Sequence, residues 1–192
     1  MAAAPPRQVF LFTGHMADAP DRAVPRFPAA KVGPAAARIA AALDACGAGA
    51  ADLAITQGAA GGDLLFVEAC QQRGVPLRLL LPLPVDEFVD RSIRPSQDGD
   101  LWEKRFRSAV ARLGAAPLEA PSALGPLAAG DDPFVRANRW LLDNALAFGA
   151  DRLRVICLWD GGGGDGPGGT RHMVEAVRER GGRVDWIDTR SL

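Results

Sequence analysis

The chain of 192 residues contains no tyrosine and only two histidines and three cysteines. The missing phenol excludes every tyrosine-dependent acid–base mechanism, including the tyrosine–lysine pair of short-chain dehydrogenases. The lysines, Lys31 and Lys104, lack the glycine spacing of a P-loop, which excludes the P-loop nucleoside triphosphatases. Cys46, Cys70 and Cys157 lack C-x-x-C spacing, so the sequence predicts reduced thiols and no metal site.

Long apolar runs are missing as well. No stretch approaches the ~18 residues of a membrane span, and the opening MAAAPPRQVFLFTGH lacks the basic start of a signal peptide. We therefore expect a soluble, cytoplasmic protein without a membrane partner. The 22 basic and 23 acidic residues nearly cancel, and the arginines are dispersed, which argues against a nucleic-acid partner.

Hydrophobic residues make up 48% of the chain, enough for the core of one domain spanning residues 1–192. Short apolar runs alternate with helical patterns, which is typical of successive β/α units. We expect an α/β fold with a single doubly wound, Rossmann-like parallel sheet and helices on both faces. Residues 85–132 contain two helical stretches and a proline-rich passage, which we interpret as an elaboration of that domain.

The element boundaries and the strand order follow from the same patterns. Numbered along the chain, the five predicted strands should lie in the sheet in the order 3-2-1-4-5. The fourth and fifth strands are most simply added on the free side of the first strand. The strands are predicted at 9–12, 53–56, 76–81, 153–159 and 183–187, and helices at 35–46, 64–73, 85–93, 101–113, 133–148 and 170–180.

Three glycine-rich loops follow predicted strands. They are Thr13-Gly14-His15, the segment 58–63 and the segment 161–170. In an open parallel sheet these loops meet at the carboxyl ends of the strands, where the winding reverses. Glycine lets backbone N–H groups approach an anion, and two of the loops lead into helix N-termini, so a phosphate-bearing ligand is the expected occupant. Any one loop alone could be only a tight turn.

The order T-G-H, then G-A-A-G-G-D, then G-P-G-G-T resembles the Rossmannoid SLOG superfamily, which includes the LOG "lysine decarboxylase-like" and DprA-like proteins. This resemblance implies binding of a nucleotide or nucleotide-derived ligand. LOG proteins hydrolyse the N-glycosidic bond of nucleoside 5′-monophosphates, and related bacterial domains are thought to be sensors. Pro167 to Thr170 match part of the LOG signature P-G-G-x-G-T-x-x-E, but the x-G before the threonine is missing. By resemblance, Glu175 and Arg139 are the nearest counterparts of the catalytic pair.

Individual residues leave alternatives open. His15 could bond a ligand phosphate or ribose hydroxyl, or a neighbouring carbonyl. Asp63 could cap the helix that begins beside it or hold a ribose hydroxyl. Trp159 is interpreted as core in preference to a base-stacking surface.

These observations favour a binding or sensor domain for a nucleotide-derived small molecule, with no additional cofactor. The alternative is a phosphoribohydrolase of the LOG type, and a homodimer is left open. The predicted ligand-binding residues are Thr13, Gly14, His15, Gly58, Gly61, Gly62, Asp63, Gly168, Gly169 and Thr170, and the predicted catalytic residues are Glu175 and Arg139.

Overall fold

A six-stranded parallel sheet forms the centre of the computed structural model, which describes residues 4–162 and 170–192. Its order is β4-β3-β2-β1-β5-β6. The α/β class and the parallel sheet are confirmed. The strands are β1 (Val9–Gly14), β2 (Leu53–Thr56), β3 (Leu77–Leu81), β4 (Leu118–Glu119), β5 (Leu153–Trp159) and β6 (Arg183–Asp188).

The predicted five-strand order omits β4, which pairs with β3 at one edge of the sheet. This strand has two residues, too few to carry an alternating pattern, and prolines at 117 and 121 flank it. The proline-rich passage that the sequence analysis treats as a connection therefore contributes to the sheet.

Seven α-helices occur in the described part of the chain, and an unpredicted short helix directly follows β4. Asp132 caps the helix that begins at Pro133, where its side chain accepts hydrogen bonds from the backbone N–H groups of Phe134 and Val135 at 2.7 and 2.9 Å. The helices are α1 (Val32–Ala45), α2 (Gly62–Gln72), α3 (Val85–Ser92), α4 (Gly99–Ala111), α5 (Ala120–Leu124), α6 (Pro133–Leu146) and α7 (Thr170–Glu179).

Alternation along β1 divides the apolar core into two clusters. Phe10 and Phe12 pack with side chains of α1, α2 and α4, and Phe12 stacks on Phe66 at 5.0 Å between ring centroids. Val9 and Leu11 belong to the other cluster, with side chains of α6 and α7. Successive side chains of a strand point to opposite faces, so β1 is covered on both.

Backbone segments approach each other closely between the loop after β1 and the start of α2. Gly61 has φ +100°, and a Cβ there would lie 2.4 Å from the backbone nitrogen of Ala17. The backbone nitrogen of Gly62 donates to the carbonyl oxygen of His15 at 3.1 Å. Glycine is required at 61 because both the dihedral angle and the available space exclude a side chain.

We expect Gly61→Ala to lower the free energy of unfolding by about 3 kcal/mol, since it combines a strained backbone with a clash. Gly47→Ala is the matched control, because φ is +59° there and nothing lies within 4 Å of the added Cβ. The control should lose only about 1 kcal/mol. Urea unfolding of both variants measures the difference, and equal losses would contradict the close-approach argument.

Candidate functional site

A cleft of about 540 Å³ opens at the carboxyl ends of the central strands. Its wall includes Thr13 at the end of β1, Gln57 after β2 and Trp159 at the end of β5. Side chains of α3 and α6 also line it, among them Arg91 and Asn138. The Oδ1 atom of Asn138 accepts a hydrogen bond from Gln57 at 2.7 Å. The cleft therefore lies at the edge of the sheet where the glycine loops were expected to meet.

The glycine loop after β2 encloses a carboxyl group of the protein itself. One oxygen of Asp63 accepts hydrogen bonds from the Thr56 hydroxyl at 2.9 Å and the Gly58 N–H at 3.1 Å. The backbone N–H groups of Gln57 and Ala59 also favour its ionised form. Burial outweighs these contacts and raises the pKa of Asp63 to about 6. The internal carboxyl thus occupies donors that the sequence analysis assigns to a phosphate.

Two expectations for this loop change accordingly. Asp63 does not cap α2, because the N-cap residue is Gly61 and no side chain caps the helix there. The N–H groups of Gly58 and Gly62 donate to Asp63 and to the carbonyl of His15. Asp63 still lines the cleft, whereas the nearby glycines serve mainly to let the two loops touch.

His15 joins the ends of β1 and β5. Its Nε2 accepts the backbone N–H of Asp160 at 3.1 Å and lies 3.3 Å from the Oδ1 atom of that residue. Burial lowers the pKa of His15, although Asp160 opposes this effect. The lowered pKa favours the neutral form of the ring. This bond to the backbone N–H of Asp160 is a further partner, beside the ligand groups and the neighbouring carbonyl considered from the sequence.

The loop at 18–27 brings two arginines to the cleft. One oxygen of Asp18 accepts the backbone N–H groups of Arg26 and Phe27, both at 2.9 Å, which holds this loop in shape. The other oxygen lies 3.5 Å from Nε of Arg22. Arg91 reaches the same cleft from α3, and its guanidinium lies 5.1 Å from the ring centroid of Phe134.

Thr170, the first residue of α7, lies beside the end of β1, with 3.5 Å between its hydroxyl oxygen and that of Thr13. This contact places the N-terminus of α7 at the cleft. The predicted residues Gly168 and Gly169 fall outside the described residues.

The predicted catalytic side chains lie elsewhere. Glu175 is exposed on α7 and pairs with Arg171 at 2.9 Å. Arg139 is exposed on α6. Neither belongs to the described lining of the cleft. The structure therefore does not bring these two groups together with Thr13, His15 and Asp63.

Several charged and polar residues of the cleft were not predicted from the sequence, among them Asp18, Arg22, Arg26, Arg91 and Ser96. Asp18, Arg22 and Arg26 follow β1 closely enough to reach the same sheet edge, and this was the available signal. Arg91 and Ser96 come from the elaboration at 85–132, whose position over the sheet no local pattern encodes. Trp159, interpreted as core, is only partly buried and lines the cleft.

The cysteines contribute no site chemistry. Cys70 and Cys157 are buried free thiols, and burial raises the pKa of Cys157 to about 12. Over residues 4–162 and 170–192, no group of three or more metal-binding side chains comes together. Within the same ranges, no helix has both the length and the apolarity to cross a bilayer.

Comparison with known proteins adds no relative. No protein-family model matches the chain, and no curated protein matches its sequence significantly.

We expect Asp63→Asn to flatten the pH dependence of stability. The pKa of Asp63 is about 6 in the folded state against 3.8 as the ordinary value. Protonated Asp63 therefore contributes fully to the free energy of unfolding below pH 3.8, and this contribution is lost as the pH rises through 6. The wild type should lose on the order of 3 kcal/mol relative to the variant between pH 4 and pH 7.

Urea midpoints across this range compare the slopes, so a constant offset caused by the substitution does not matter. Parallel pH profiles of wild type and variant would contradict the assignment.

Proposed function

We propose that the cleft binds a nucleotide or nucleotide-derived phosphorylated ligand and that the protein is a sensor or binding domain. The observation that carries this proposal is the meeting of Thr13, the N-terminus of α7 and three arginines in one cleft at the carboxyl ends of β1 and β5. We infer that the winding of the sheet reverses between these two strands, where open α/β sheets bind ligands. The cleft volume lies within the range of small-molecule sites.

The phosphate end of the ligand is assigned to the start of α7. Helix N-termini attract anions through their unpaired N–H groups and dipole, and the chain leading to Thr170 carries Gly168 and Gly169. Arg22 and Arg26 line the same cleft and bring guanidinium groups to it, with Arg22 3.5 Å from Asp18 and Arg26 3.9 Å from Asp160. The resemblance to the SLOG superfamily also supports placing the phosphate at the start of α7.

An aromatic wall suits the base. Phe134 and Trp159 line the cleft, and the guanidinium of Arg91 lies over the Phe134 ring. Flat apolar surfaces of this kind accept a nucleobase by stacking, with little regard to its identity.

Binding is favoured over hydrolysis because of where the carboxylates lie. Glu175 is engaged with Arg171 on the surface, and Asp63 is enclosed by its own loop. Cleavage of an N-glycosidic bond needs a carboxylate within reach of the sugar carbon. The hydrolytic alternative therefore has less support than the sensor.

We expect nucleoside monophosphates to raise the melting temperature more than the matching nucleosides, because the phosphate supplies the anion for α7 and the arginines. A ligand present at 100 times Kd should add about 2.7 kcal/mol to the free energy of unfolding. A thermal shift series over the common nucleosides and their monophosphates measures this. Equal shifts for both series would overturn the phosphate assignment.

The matched variants Arg26→Gln and Arg38→Gln test whether Arg26 contributes to monophosphate binding. Arg26 lines the cleft, whereas Arg38 is exposed on α1, away from the cleft lining. Monophosphate affinity should fall at least tenfold, about 1.4 kcal/mol, in Arg26→Gln. The Arg38→Gln control should bind as the wild type does.

Product analysis separates the sensor from the hydrolase. We expect no free base when the protein is incubated with the common nucleoside monophosphates, because Glu175 and Arg139 lie outside the described cleft lining. Chromatography of the reaction mixture detects base release. Release that disappears in Glu175→Ala, with binding retained, would instead establish the hydrolytic reading.

A further inference from the structure

Buried polar atoms without a hydrogen-bond partner are concentrated at the cleft. The described chain contains six such side-chain atoms, and three belong to residues that line the cleft: Asp18 Oδ1, Ser96 Oγ and Trp159 Nε1. Folded proteins satisfy nearly all of their buried polar groups. A cluster of exceptions in one cleft therefore indicates groups that a ligand satisfies.

Asp18 and Ser96 belong to one wall of the cleft. The backbone N–H of Gln97, next to Ser96, donates to the carbonyl oxygen of Asp18 at 2.7 Å. Both residues are more than nine-tenths buried, at 7% and 3% exposure. They come from the loop after β1 and the segment after α3, which this bond holds together.

The two oxygens of the Asp18 carboxylate make different contacts. Oδ2 accepts the N–H groups of Arg26 and Phe27 and shapes the loop. Oδ1 has no hydrogen bond, although Nε of Arg22 lies 3.5 Å away as an ion-pair partner. Oδ1 is thus an acceptor held in a fixed position, with its charge already balanced.

This pair selects for hydroxyl groups. A carboxylate only accepts hydrogen bonds, and a serine hydroxyl can donate or accept. A phosphate would be repelled by Asp18, and an ammonium group would be disfavoured by Arg22 beside it. Two adjacent neutral hydroxyls fit, since one can donate to Asp18 Oδ1 while the other pairs with Ser96 Oγ.

We propose that Asp18 and Ser96 form the subsite for the vicinal hydroxyls of the ligand's sugar, so that the protein distinguishes ribose from 2-deoxyribose. This inference rests on the proposed function. It moves the sugar away from His15, whose Nε2 atom is engaged by Asp160, and from Asp63, which is engaged by Thr56 and the loop after β2.

The test is calorimetric titration with the four common ribonucleoside 5′-monophosphates, their 2′-deoxy counterparts, ribose 5-phosphate and 2-deoxyribose 5-phosphate. We expect the wild type to bind the best ribo compound at least tenfold more tightly than its 2′-deoxy partner. Equal affinities within such a pair would overturn the sugar subsite and leave the proposed function standing. Absence of binding by every compound would overturn both.

Asp18→Asn tests the atom itself. Its amide oxygen can still accept the N–H groups of Arg26 and Phe27, while an NH₂ group replaces the acceptor on the other side. Ribo affinity should fall at least tenfold and the preference over the 2′-deoxy partner should disappear. Retention of the full preference in folded variant protein would overturn the assignment.

Two further variants complete the set. Ser96→Ala removes a buried hydroxyl that has no partner in the described structure, so it should fold at least as stably and still lose most of the ribo preference. It keeps the inference testable if Asp18→Asn fails to fold. Asp44→Asn is the control, because Asp44 pairs with Arg73 on the surface and should leave the preference unchanged.

Discussion

A buried carboxyl group organises the edge of the sheet at which the cleft opens. Asp63, which is 9% exposed, accepts hydrogen bonds from the Thr56 hydroxyl and the N–H of Gly58 and so fixes the turn from β2 into α2. That turn places Gly61 and Gly62 against the backbone of the loop after β1. The position of the first loop, and with it Thr13 and His15, therefore depends on a carboxyl group whose hydrogen bonds are made within the protein.

This arrangement bears on where the proposed phosphorylated ligand would find its partners. A helix N-terminus preceded by glycines is an anion site only when its donors are unoccupied, and at α2 the protein supplies its own carboxyl. Positive charge reaches the cleft instead on long side chains, from the loop that carries Arg22 and Arg26 and from Arg91 on α3. The cleft is thus lined both by loops whose backbones are joined by hydrogen bonds and by cationic side chains.

The class of fold was predictable because short apolar runs alternate with helical patterns. The approach of the loop after β2 to the loop after β1, seen in the bond from the Gly62 N–H to the His15 carbonyl, followed from parallel strands ending at one edge. The use of those glycines was not predictable. A Gly-rich segment gives the same pattern whether its N–H groups meet a ligand or a carboxylate of the same chain. Ser96 and Arg91 were not predicted as cleft residues for another reason. They reach the cleft through the tertiary packing of α3, which the local sequence around them does not indicate. The two-residue strand β4 has no periodicity to detect.

The Asp18 carboxylate joins the interior of the cleft to the outer surface. Its Oδ2 atom holds a loop whose crest includes Val24, 74% exposed, and the opposite oxygen belongs to a residue of the cleft wall. A rotation of this side chain would break the hydrogen bonds from the Arg26 and Phe27 N–H groups that hold the loop. One carboxylate is therefore shared between the wall of the cleft and the fold of an exposed loop.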